Sequence, residues 1–328
     1  MVEKSRDVPP SLQPKSGDIG FDLDRALESI VTVQSTIPSD AFTAQILGTE
    51  RAGSGVVIGE SGLVLTIGYL VTEAETIWLR GASGPPVPGH PLATDQETGL
   101  ALVQALGALN LPALAFGSAR AASVGDPVVM IGGGGGRKQS VRARIVAKQE
   151  FSGYWEYHLD EAIFTAPAHP LWGGAGLIGA DGELLGIGSL HVQQQNERGQ
   201  REDVNMIVPI DLLPPVMNDL LTLGRVNRPA RPWLGVYSAE NGGRIVIADV
   251  TEDGPASAAG LRAGDIIASV RDSSVETLSE FYREIWRCGP AGTEIPIEIV
   301  RDKRSLWVRV KSADRASFLK KPISFRVV

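Results

Sequence analysis

One cysteine, Cys288, stands in 328 residues. That scarcity excludes an intrachain disulfide and any cysteine-rich zinc site. Histidine is almost as rare, with His90, His158, His169 and His191 the full set. Their spacings match no ligand motif, so they read as surface or rim residues, and neither a metal nor another cofactor is expected. No hydrophobic run is long and unbroken enough to span a membrane, and residues 1–20 lack the apolar core of a secretory leader. The expectation is a cytoplasmic protein without a membrane partner; a removed leader would make it periplasmic. Positive charge is also in deficit, with 31 Lys and Arg against 38 Asp and Glu, which argues against a nucleic-acid partner. The exception is the stretch from Glu298 to Val328, with nine basic residues against three acidic ones. It reads as a solvated strand face or a partner-binding surface. Aromatics make up 6% of the chain while glycine reaches 38 and proline 21, a balance that favours short strands joined by tight turns.

The length exceeds one comfortable core, so two or three domains are expected. After a flexible arm over 1–21, a helical turn over Asp24–Ile30 leads into a strand at Ile30–Gln34. Many short apolar runs follow: Ala44–Leu47, Gly55–Ile58, Leu63–Thr66, Thr76–Leu79, Leu100–Ala105, Pro127–Ile131, Val141–Lys148, Ala162–Thr165, Leu177–Ile178, Leu184–Ser189 and Asn205–Pro209. Strands of this length without long amphipathic helices between them predict a sandwich or a pair of barrels. Ile210–Gly224 suits a helix, and the proline-marked Asn227–Pro232 is the natural boundary. Beyond it, Leu278, Phe281, Tyr282, Ile285 and Trp286 recur at helical spacing, and Gly289-Pro290 ends that helix. With strands at Trp233–Tyr237, Arg244–Val250, Ile266–Arg271, Glu294–Arg301 and Ser305–Val310, this is a compact module rich in β structure.

Gly132–Gly136, after the strand Pro127–Ile131, invites a phosphate-loop reading. The glycine-lysine-serine or -threonine ending is absent, however, and a strand follows where a helix N-terminus is needed. A tight or mobile loop is the alternative.

Gly53-Ser54-Gly55-Val56-Val57-Ile58, Gly62-Leu63-Val64-Leu65-Thr66, Leu100-Ala101-Leu102-Val103 and the phrase from Pro170 to Ile187 occur in the order and spacing of one family. Residues 22–212 resemble the protease domain of the HtrA/Deg-type serine proteases. Residues 229–315 resemble the PDZ domain that follows it, leaving 213–228 as helix and linker and 316–328 as a tail. The resemblance implies a mainly β fold, a trypsin-like double β-barrel followed by a small α+β PDZ domain. It places the base histidine at Tyr69, its aspartate at Gly99 and the nucleophile at Gly173. Acyl transfer needs a nucleophile, a base within reach and a group that orients the base. Glycine has no hydroxyl, and a tyrosine is a poor base near neutrality. Leu171 and Trp172 stand where glycine and asparagine are usual, so they are expected to block or reshape the cleft.

In the second domain, Trp233, Leu234, Gly235 and Val236 resemble the loop whose backbone N–H groups take a peptide's terminal carboxylate. Gly254–Ile267 is similar to the central PDZ phrase, and Leu278 and Phe281 on the following helix are expected to line the pocket for the last side chain. The expectation is a pseudoprotease, not an enzyme, acting as a scaffold or regulator that binds protein C-termini or extended peptides. The resemblance also implies a homo-oligomer, a trimer in the family. Two alternatives stand beside it: a serine endopeptidase active through a rearranged site, or a structural subunit whose PDZ groove is filled by its own chain, from 313–328.

Overall fold

Burial alternates or runs continuously along the strands according to whether one face or both meet the interior. Leu63–Ile67 is buried at every residue, whereas Thr76–Arg80 alternates. In the computed structural model, which describes residues 7–15, 17, 19–195 and 199–321, six strands close a first barrel: β1 (Ile30–Thr36), β2 (Glu50–Gly59), β3 (Leu63–Ile67), β4 (Thr76–Arg80), β5 (Val87–Thr94) and β6 (Leu100–Ala105), in the order β1-β2-β3-β6-β5-β4. A second barrel closes in the order β10-β11-β12-β9-β8-β7 from β7 (Pro127–Ile131), β8 (Ser140–Gly153), β9 (Tyr157–Ala166), β10 (Gly176–Ile178), β11 (Leu184–Gln195) and β12 (Arg201–Pro209). Closure removes free sheet edges and lets inward side chains fill the interior. α1 (Leu23–Glu28), capped by the Asp22 carboxylate, precedes β1, and α3 (Pro214–Leu223) follows β12, ending at Gly224 with φ +68°.

Two local expectations change. Ala44–Leu47 is not a strand but a short helix, α2, closed by Gly48. The expected flexible arm is tied down where it is described. Val8 is buried, Leu12 packs on the second barrel's core, and the Val8 N–H donates to the Lys138 carbonyl at 2.8 Å. The ends of the arm and tail, residues 1–6, 16, 18 and 322–328, lie outside the described residues.

The chain divides into two compact units, one of residues 1–149, 161–226 and 320–328, the other of 150–160 and 227–319. The second unit holds a sheet in the order β13-β14-β15-β17-β18, with β13 (Val236–Glu240), β14 (Ile245–Val250), β15 (Ile266–Val270), β17 (Glu294–Arg301) and β18 (Arg304–Lys311); β16 (Ser273–Ser274) pairs with β15. α4 (Pro255–Ala258) and α5 (Leu278–Arg287) complete it, and Leu234, Ile247, Phe281, Tyr282, Ile285 and Ile297 form the heart of its core. Arg301 forks onto Asp265 through two bonds of 2.6 Å. Residues 150–160, the outer end of the β8–β9 hairpin, belong to this unit by their contacts.

Candidate functional site

Within the first unit, Tyr69 sits on a short 3-10 turn (Gly68–Leu70) directly after β3. Its hydroxyl donates to the Ser189 carbonyl at 2.9 Å. Burial pushes that hydroxyl well above its ordinary range, against a hydrogen bond from the Trp172 side chain that pulls it down. A Cβ on Gly173 would lie 2.7 Å from the Tyr69 hydroxyl, so the phenol fills the space a residue-173 side chain would need. Gly99, with φ +78°, accepts the Gly68 N–H at 2.6 Å. The three positions singled out from the sequence thus converge, held by backbone bonds and one phenol.

The loop before Gly173 is locked from both sides. Ser54 donates its N–H to the Gly173 carbonyl at 2.8 Å, and Thr66 donates to the Ser54 carbonyl at 2.7 Å. Gly174 has φ +75°, and a Cβ there would meet the Ser54 carbonyl at 1.8 Å. Trp172 lies against His191 with ring centroids 5.3 Å apart. His169 is not a rim residue. It is fully buried; Nε2–H donates to the Gln139 carbonyl at 2.7 Å and Nδ1 accepts the Leu171 N–H at 2.9 Å. Burial drives its pKa down to about 4, keeping the ring neutral in the tautomer these two bonds require. His158 is likewise buried rather than exposed. Ser152 Oγ lies 2.9 Å from His158 Nδ1, and His158 Nε2 lies 3.2 Å from Asp160, a hydrogen-bonded serine–histidine–aspartate chain that the sequence reading did not assemble.

The glycine-rich loop is a tight turn. Gly133 N–H donates to Ser54 Oγ at 2.9 Å, a Cβ on Gly135 would lie 1.9 Å from the Leu27 carbonyl, and a 3-10 turn at Arg137–Gln139 leads into β8. No helix N-terminus follows the loop to receive a phosphate. Among the described residues no cluster of three or more His, Cys, Asp or Glu could hold a metal ion.

In the second unit, Gly235 has φ +77°, and a Cβ there would press on Thr251 and Trp233 at 3.1 Å. That conformation turns three successive N–H groups to one point, and the point holds a carboxylate. Glu156 Oε1 accepts from Gly235 at 2.6 Å, Val236 at 2.9 Å and Leu234 at 3.2 Å, while Oε2 accepts from Leu234 at 2.9 Å. Burial raises the Glu156 carboxyl to about 7, against these three donors and the charge of Arg315, which pull it down. Leu278 and Phe281 are buried on α5. Trp233 is buried too, bridged to Ala313 and edge-on to Phe318 at 4.9 Å. The expectations for this loop and helix did not include Glu156. The available signal was Tyr154-Trp155-Glu156-Tyr157, an acid set among aromatics in an aromatic-poor chain.

The family model for a trypsin-like peptidase domain matches residues 53–187, and that for a PDZ domain matches residues 232–311. The serine endoprotease DegS of Escherichia coli (strain K12) is 26% identical over 272 residues, covering 79% of this chain and 75% of DegS. A probable periplasmic serine endoprotease, DegP-like, of Pseudomonas fluorescens is 29% identical over 265 residues, covering 77% of this chain but 54% of its own length. The HtrA-type protease AlgW solved with a decapeptide has the same fold at a TM-score of 0.53 and 23% identity, over 92% of this chain and 98% of that one. A serine endoprotease from Yersinia pestis superposes with a TM-score of 0.50 at 23% identity, over 89% and 98% of the two chains.

These relatives correct two expectations. A pseudoprotease that is not an enzyme is overturned by similarity to serine endoproteases along about four-fifths of the chain. Three residue identities were a narrow basis for that exclusion, because they speak only to one arrangement of catalytic groups. The cytoplasmic assignment is overturned by relatives described as periplasmic. A lone cysteine and a polar N-terminal stretch are compatible with either compartment.

Proposed function

Because the chain is an HtrA/Deg-like member of the trypsin-fold serine-protease family with a C-terminal PDZ domain, we propose that it recognises protein C-termini and extended peptides through its second unit, in the periplasm, and that this recognition regulates the barrel-bearing body. The domain bounds that go with this reading are 22–212 and 229–315. The observation that carries it is the convergence of the Leu234, Gly235 and Val236 N–H groups on one carboxylate. Charge-assisted bonds of this kind are the strong class, and a peptide's last residue offers the same two oxygens. In this reading Trp233, packed on Phe318, leads into the loop, and Leu278 and Phe281 on α5 are assigned to the last side chain. The test is fluorescence anisotropy on the full chain, with matched peptides carrying free and amidated C-termini. Amidation should weaken binding at least tenfold, about 1.4 kcal/mol. Equal affinities would remove the carboxylate from the recognition.

A second reading, serine-type peptide hydrolysis through a rearranged site, is supported by the endoprotease relatives and by the Ser152–His158–Asp160 chain. Its ingredients are a hydroxyl, a base in hydrogen-bond reach and a carboxylate on the far ring nitrogen. Fluorophosphonate labelling and casein cleavage that vanish in Ser152→Ala would support it. Labelling that survives that substitution would move the nucleophile elsewhere, and no labelling or cleavage in the parent chain would end this reading.

A further inference from the structure

A carboxylate taken out of water is costly unless it is fully hydrogen-bonded. Glu156 meets that condition in the loop just described, and it does so from an unusual backbone. It sits at the β8–β9 tip with φ +58°, the left-handed region that non-glycine residues seldom adopt. Its own N–H faces the Tyr282 hydroxyl at 3.3 Å, and that hydroxyl donates to the Gly153 carbonyl at 2.7 Å, so the tip is held in this turn by α5.

The rest of the tip behaves as an added strand would. β13 is the edge strand of its sheet, and the Ser238 N–H donates to the Tyr154 carbonyl at 2.9 Å. Edge addition of this kind is how extended peptides dock on such sheets. On the α5 side, Arg283 reaches Glu150 at 3.2 Å and Asp160 at 3.0 Å, and Ser279 donates to Glu150 at 3.2 Å. Residues 150–160 therefore lie along the groove between β13 and α5, with a carboxylate in the terminal pocket. Among the described residues, the segment at this groove is 150–160; of the segment 313–328 expected for that role, residues 322–328 lie outside the described residues.

We propose that Glu156 is a tethered stand-in for a peptide's terminal carboxylate, and that peptides with a free C-terminus enter the second unit by displacing residues 150–160. The proposal rests on the reading of Leu234–Val236 as a C-terminal carboxylate site. Three N–H groups cannot serve two carboxylates, so binding is competitive. A tethered competitor acts at an effective concentration on the order of millimolar, and apparent affinity falls by the fraction of molecules whose site is open. The hairpin leads covalently back into β8 and β9, so release of the tip frees the outer ends of two barrel strands.

The test compares the full chain with Glu156→Gln and Glu156→Ala, using one set of free and amidated peptides in fluorescence anisotropy. Both variants should bind free-terminus peptides at least tenfold more tightly than the parent, with amidated peptides changing little. In the unmodified chain, saturating free-terminus peptide should speed amide hydrogen exchange across 150–160, a measurement that needs no variant. If parent and variants bind free-terminus peptides equally, still discriminate against amides, and show unchanged exchange over 150–160, the tether is refuted while the carboxylate site stands. If none of the three proteins distinguishes free from amidated peptides, the carboxylate site fails and the tether with it.

Discussion

His169 shows how a single side chain can carry a loop. Its neutral ring donates at one nitrogen and accepts at the other, fastening Leu171 and Gln139 together in a site with no access to water. Protonation would cost the acceptor and bury a charge. Its pKa in the fold, about 4, lies below the ordinary histidine value near 6.5. The unfolded chain therefore binds the extra proton first, and the stability this ring contributes is whole above about pH 6.5. It is lost progressively as pH falls through 4. Urea midpoints measured between pH 7.5 and 4.5 should decline in the parent more steeply than in His169→Gln, whose amide does not titrate. Parallel declines would show that the ring is not the group responsible. Nothing in the sequence around Pro170 announced this role, since the bonds that hold His169 come from Asn205 on β12 and Gln139 on the turn before β8. Tyr69, Gly99 and Gly173 were legible because they are defined by position within a phrase. What they do was not, because a phenol filling the space over a glycine is a fact of packing.

At the scale of elements, local chemistry and legibility go together. α5 announces itself by apolar residues on one face, and in the fold Thr277 with Glu280 three residues on adds a capping box. The structure contains both halves of that capping box. Thr277→Ala should destabilise the second unit by roughly 1 kcal/mol, read as a shift in the denaturation midpoint of the full chain; a shift within error would mean the cap is redundant. β6 and β17 were bounded correctly because their apolar residues are continuous or strictly alternating. β5 escaped notice, since Pro88 and Pro91 interrupt it and little of it is buried. α2 was misread because four apolar or neutral residues carry no period long enough to separate helix from strand. The outer ends of β8 and β9 were also missed. Their residues are selected by contacts with α5 and β13, elements some 80 to 130 positions away, and not by the alternation of a barrel strand.

At the scale of the whole molecule, the chain runs from one compact unit into the other and back twice, at 149–161 and again at 226–320. The second return is fastened where it arrives. The Lys320 N–H donates to Glu73 at 2.8 Å, and that carboxylate also gathers the N–H groups of Phe42 and Thr43. The first excursion is the one with the richer consequence. Trp155, inside the segment that fills the groove, stacks on Tyr157 at 5.5 Å and meets Tyr154 edge-on at 4.9 Å, with Tyr154 in turn 6.1 Å from Tyr237. This half-buried indole is an optical probe already installed at the point of interest. If the segment leaves the groove, its aromatic cluster parts from Tyr237 on β13 and the half-buried indole gains water, so its emission should move to the red. Subtracting the spectrum of Trp155→Phe isolates its signal from the other five tryptophans. A titration with free-terminus peptide would then report occupancy of the groove without any label, and a Trp155 signal unmoved at saturation would mean that the indole keeps its neighbours when the peptide binds.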